Sequence, residues 1–171
     1  MIAASRVFSQ KFQFRVRFFL RYLLVLTGLN LVWEFAHMPL YTLAAEGTTA
    51  AIVYSAIHCT IGDMMIGGFA LLAAVFLFGS DRWPAAGQTR VLAAALVFGV
   101  GYTVFSEWLN IEVRGAWAYT EAMPIVPLIR TGLSPLLQWL VVPVIAYFWA
   151  IRGEFDANSW FRSSTIGTVD D

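Results

Sequence analysis

Four apolar runs, each about long enough to cross a bilayer, constrain this chain more than anything else in it. The first extends from Phe18 to Tyr41, and similar stretches cover residues 50–78, 91–110 and 135–151. A helix needs ~20 predominantly apolar residues to span a ~30 Å hydrocarbon core. Composition agrees, with 59% hydrophobic, 16% aromatic and 13% charged residues, far from the soluble average. The expected fold is therefore an all-α integral membrane protein, a four-transmembrane-helix bundle. The first run is longer than the core of a signal peptide and carries Glu34 and His37 near its end, so it reads as a span and not as a cleaved leader.

Basic residues set the expected orientation. Arg6, Lys11, Arg15, Arg17 and Arg21 precede or open the first span, Arg82 and Arg90 lie between spans two and three, and Arg152 and Arg162 follow span four; only Arg114 and Arg130 fall on the other side. Both termini are expected to be cytoplasmic, with loops 43–49 and 111–132 outside. For a bacterial inner membrane protein that outside is the periplasm.

Three regions are expected along the chain. Residues 1–17 form a basic, Phe-bearing interfacial segment, 18–152 the four-helix domain, and 153–171 a mobile polar tail without apolar period. Ala70 and Ala74, Ala95 and Gly99, and the Gly67-Gly68 pair supply small faces for close helix packing. Ser134-Pro135 reads as an N-cap and first-turn proline of span four, and Pro143 as a bend.

The polar residues inside the spans share one depth. Glu34 and His37 fall near the outer end of span one, His58 and Asp63 two to four turns into span two, Glu107 and Asn110 at the end of span three, and Ser134 and Gln138 at the start of span four. Helical spacing places Asn30, Glu34, His37 and Tyr41 on one stripe, pairs Tyr54 with His58, and aligns Thr103, Glu107 and Asn110. His58 and Asp63 point about 140° apart, so both reach one site only if span two is wedged between two neighbours.

Three carboxylates at this depth need compensation, because each buried ion costs several kcal/mol. Two solutions follow. Glu34, His37, His58 and Glu107 are a ligand set suited to a divalent metal, zinc or iron, with Glu34-x-x-His37 on one helix face and Asp63 or Glu107 handling protons as catalytic groups. Alternatively the carboxyls hold protons and act as acid and base. Asn30, Tyr41, Tyr54, Asn110, Trp117, Tyr119, Arg130 and Gln138 are the expected substrate-contacting or supporting residues. Loop residues Trp117-Ala118-Tyr119, with Met123, Pro124, Pro127 and Arg130, are candidates for a lid, Arg130 holding an anionic headgroup. Cys59 reads as packing, and Trp33, Tyr41, Tyr54, Trp108, Trp117, Tyr119 and Trp139 also fit an interfacial aromatic belt.

The leading functional expectation is a metal-dependent intramembrane enzyme, hydrolase or isomerase, acting on a lipid-like substrate. The alternatives are a metal-free acid–base isomerase or cyclase of an isoprenoid or sterol-like substrate, a b-type cytochrome with haem b held by His37 and His58, and a non-enzymatic transporter subunit or assembly factor. The segments Gly101-Tyr102 to Glu107 and Trp139 to Pro143 loosely resemble parts of the four-helix EXPERA sterol-isomerase family, a likeness of a few positions that implies the second of these chemistries. Membrane lipid and a lipid-like small molecule are the expected partners, with a homo-oligomer left open. A net charge of zero argues against a nucleic-acid partner, which would need a basic face.

Overall fold

The computed structural model describes the backbone of residues 2–84 and 86–166 and the side chains of residues 10–84 and 86–152. Among these, four helical stretches are long and apolar enough to cross a membrane: Gln10–Leu40, Thr49–Phe78, Gln88–Val113 and Leu133–Arg152. They belong to α1 (Ile2–His37), α3 (Thr49–Phe78), α4 (Gln88–Trp108) and α5 (Leu133–Ile166), with a single-turn α2 (Leu43–Glu46) between the first two. Packing runs α1 on α3, α3 on α4, α4 on α5 and α5 on α1. Each long helix thus has two neighbours, and α3 is wedged between α1 and α4.

Local chemistry sets the ends. Pro39 offers no N–H and disfavours α geometry at Met38, so α1 stops at His37 and the chain tightens into a 3₁₀ turn over Met38–Leu40. Tyr41, expected as the last residue of the first span, therefore lies beyond the helix. Thr48 caps α3 by accepting from the Ala51 N–H at 3.2 Å. Gly87, at φ 78°, takes the left-handed turn into α4. Beyond Trp108 the helix widens into a π turn over Leu109–Val113.

A short antiparallel hairpin, β1 (Ile125–Val126) with β2 (Thr131–Gly132), leads into α5. Because α5 already begins at Leu133, Ser134 lies inside its first turn and is not the N-cap expected from the sequence. Its hydroxyl faces α1 instead, within 3.2 Å of both Trp33 Nε1 and His37 Nδ1.

The two ends of the bundle differ. At the end shared by the termini and the 79–87 turn, Phe18, Tyr22, Leu71, Trp83, Val91 and Tyr147 are among the buried side chains of one apolar core. Phe18 meets the rings of Trp83 and Tyr147 edge-on at 5.0 and 5.2 Å, and the Trp83 indole N–H donates to Tyr147 Oη at 2.9 Å. Arg15 donates to the carbonyls of Ser80, Asp81 and Trp83, so this part of the expected interfacial segment ties α1 to the turn. Backbone helix is continuous from Ile2 through the first span and from Leu133 to Ile166. The interfacial contacts expected of side chains 1–9, and the mobility expected of the tail at 167–171, lie outside the described residues.

The small-residue faces pack as their size requires. A Cβ on Gly67 would collide with Leu26, and one on Gly99 would collide with the indole of Trp139. Gly99 thereby fixes where Trp139 sits, at the edge of the site.

Candidate functional site

At the opposite end, polar residues from all four long helices line one cavity of about 380 Å³. Span one contributes Glu34 and His37, α3 contributes His58, Cys59 and Asp63, α4 contributes Thr103 and Glu107, and α5 contributes Gln138 and Trp139. The wedged position of α3 lets His58 and Asp63 reach the same space despite their angular separation. His58 is exposed and stacks on exposed Tyr54, ring centroids 5.8 Å apart, so it stands at the rim.

The floor is a hydrogen-bonded network across three helices. Gln138 Nε2 lies 3.1 Å from Asn30 Oδ1, 2.9 Å from Glu34 Oε1 and 3.0 Å from Asp63 Oδ2. Asn30, Glu34 and Gln138 are buried, so these groups are satisfied mainly by one another. An amide nitrogen carries two hydrogens, and three acceptors surround this one. The Asp63 and Glu34 carboxyls meet at this one nitrogen, and two like charges brought together there favour one proton held by the pair. That proton supplies the missing donor.

Glu34 has a further partner. His37 Nε2 lies 3.2 Å from Glu34 Oε2 while Nδ1 faces Ser134, so both ring nitrogens are engaged. The E-x-x-H pair is turned inward on itself. The remaining expected ligands, His58 and Glu107, line the same cavity, but among the described residues no three His, Cys, Asp or Glu side chains are grouped to hold a metal ion. The four-ligand set expected from the sequence is therefore not assembled in this structure: His37 is spent on Glu34 and Ser134, and Glu107 on Tyr119.

Glu107 is buried on α4 and accepts a hydrogen bond from Tyr119 Oη, which itself accepts from the Gly132 N–H at 2.9 Å. The loop carrying Tyr119 folds over the cavity. Its backbone is sewn to the segment after α1, with Thr42 N donating to Ala118 O and Thr120 N to Leu40 O, both at 3.0 Å. Trp117 lines the cavity, and its buried indole N–H lies near the Glu107 carboxyl without forming a well-aligned hydrogen bond. Tyr41, buried beside His37 and Tyr119, has its phenol pushed well above the ordinary range, first by burial and then by the charge of Glu107. Tyr119 is pushed up as well, by burial and by its bond to Glu107. Both stay protonated donors at neutral pH.

Asn110 lines the cavity and bonds back to the Ser106 carbonyl at 2.9 Å. Arg130 does not line it: the side chain is exposed at φ 51° in the hairpin turn, 3.7 Å from Glu112. Arg114, after the π turn, lines the cavity in its place. Ser134 is expected at this depth from its place in the sequence, whereas Arg114, Cys59 and Trp139 reach the cavity although charge bias, packing and an aromatic belt account for them locally. No protein-family model, curated protein or solved structure matches the chain, so the EXPERA likeness assigns no family.

Proposed function

We propose that this chain is a small integral membrane enzyme performing metal-free acid–base chemistry on a lipid-like substrate, with the cavity opening toward the outer leaflet of a bacterial inner membrane. The observation that carries the reading is the Glu34–Asp63 pair gathered around Gln138 at the floor of a cavity bounded by apolar helices. One carboxyl of the pair holds a proton and the other is free to accept one, which is what moving a carbon–carbon double bond requires. The acid form adds a proton to one end of the double bond. The carboxylate removes one from the carbon next to the other end, and no atom is gained or lost. Trp139 and Trp117 offer π faces for the positive charge that develops between the two steps, and Glu107, held by Tyr119, offers a second negative charge. In this reading His37 positions Glu34.

The test is solvent deuterium. Purified protein in nanodiscs is incubated in D₂O with a sterol mixture and a prenol mixture, and the lipids are weighed by mass spectrometry. Wild type should place deuterium on carbon in one class, and Asp63→Asn should lose at least ~100-fold of that rate. No incorporation, together with about one zinc or iron per chain that disappears in both Glu34→Ala and His37→Ala, would replace this reading with the metal-dependent one.

A further inference from the structure

A second hollow, of about 510 Å³, runs between α3 and α4 and is lined by apolar side chains such as Met65, Phe69, Ala73 and Phe98. It shares Gly62, Ile66 and Tyr102 with the polar cavity, so the two hollows adjoin along these residues, one polar and the other apolar. Gly62 marks the junction and immediately precedes Asp63. A Cβ there would meet no atom within 4 Å. Unlike Gly67 and Gly99, Gly62 is thus not required by helix packing, although glycine inside a helix costs ~1 kcal/mol relative to alanine. Its missing side chain keeps a gap open beside the carboxyl pair.

We propose that this hollow is a lipid-binding channel: the α3/α4 groove holds the hydrocarbon chain of a single-tailed amphiphile, and its hydroxyl head passes the gap at Gly62 into the polar cavity. The head chemistry follows from the groups waiting for it. The carboxyls of Glu34, Asp63 and Glu107 outnumber the one cation at the wall, Arg114, so they disfavour an anionic head and favour a hydrogen-bond donor, while the indole N–H of Trp117, near Glu107 but without a well-formed hydrogen bond, can donate to an acceptor. A hydroxyl is both. A groove along lipid-facing helices lets the substrate slide in sideways without its chain leaving an apolar surround. The inference deepens the acid–base reading and rests on it for what happens to the head, but the binding itself stands apart from it.

The probe is a 16-carbon primary alcohol with a diazirine near its chain end, irradiated with the protein in phosphatidylethanolamine–phosphatidylglycerol nanodiscs and mapped by peptide mass spectrometry. Labelling should concentrate on Phe69, Ala73 and Phe98 and be competed by excess hexadecanol. Gly62→Phe should reduce it at least tenfold. Gly28→Phe, at another glycine with open space around it, should leave it unchanged, and thermal unfolding confirms that both variants fold. Labelling spread evenly over the outward faces of all four spans, or unchanged in Gly62→Phe, would overturn the proposal. The deuterium assay separates the two claims. Focused labelling without deuterium incorporation sinks only the acid–base reading, and incorporation with diffuse labelling sinks only the channel.

Discussion

The two halves of this bundle are built from the same helices on opposite plans. Toward the termini, Phe18, Tyr22, Trp83 and Tyr147 interlock with a single indole-to-phenol hydrogen bond; toward the loops, Asn30, Glu34, Asp63 and Gln138 crowd acceptors around one amide nitrogen. Where helices meet apolar neighbours on every side, association rests on close van der Waals packing, and each lost contact weakens the fold. A buried carboxyl contributes little and often costs stability. The dry half holds the molecule together, and the polar half, where charge is gathered at a cost, is the half expected to act.

The largest effects should expose this division. Phe18→Ala, which empties space between Trp83 and Tyr147, should cost ~3–5 kcal/mol in a denaturant titration of the reconstituted protein. Asp63→Asn should cost less than ~1 kcal/mol or stabilise, since an amide donates to Glu34 where a shared proton is now needed. Equal losses in the two variants would break the comparison. Glycines sharpen it at the next scale. Gly99→Ala forces a methyl against Trp139 and should cost ~1–3 kcal/mol, while Gly62→Ala meets nothing and should gain up to ~1 kcal/mol. Reversed signs would mean that the gap at Gly62 is closed in solution.

Much of this division is legible in the sequence, because spans, helical phase and depth depend on the period of a single helix. Asn30, Glu34 and His37 line up as their spacing demands, and Asp63 reaches the cavity through the wedging of α3. What the period cannot carry is anything beyond a helix end. Tyr41 keeps its place near His37 only because Pro39 breaks α1 and a β-bridge to Tyr119 holds it. Arg130 and Arg114 looked alike in a loop without periodicity; the π turn brings the second to the cavity and the hairpin turns the first to solvent. For Ser134 and Trp139 a cap and an aromatic belt are local explanations, whereas their partners, His37 and Gly99, lie on other helices. The Glu34–His37 contact likewise shows that two potential ligands at i, i+3 can satisfy each other.

The loop that covers the polar half gives a pH test with a definite sign. Tyr41 and Tyr119 have phenols raised above the ordinary value of ~10, so the folded state holds these protons more tightly than the unfolded chain. Their contribution is fully present below pH ~10 and declines as pH rises above it. Unfolding followed from pH 8 to 11.5 should therefore show stability falling only at the alkaline end, with tyrosinate absorbance at 295 nm from these two residues delayed until the loop opens. Tyr119→Phe should remove part of that slope and, by leaving the Gly132 N–H unpaired, cost ~1–2 kcal/mol at neutral pH. A slope unchanged in Tyr119→Phe and Tyr41→Phe would place the alkaline weakness elsewhere.

The smallest effect is expected where the sequence suggested a headgroup clamp. Arg130 and Glu112 stand 3.7 Å apart with side chains 78% and 46% exposed, an arrangement in which the gain from pairing is nearly offset by ordering two long side chains. Arg130→Ala should shift stability by less than ~0.5 kcal/mol and leave labelling by the 16-carbon alcohol unchanged, because the side chain does not line the cavity. Arg114→Ala, at the cavity wall, should alter that labelling instead. If Arg130→Ala reduced labelling and Arg114→Ala did not, the hairpin would have to swing toward the site in the membrane. The polar half would then owe its cover to a moving element, in contrast to the fixed packing of the dry half.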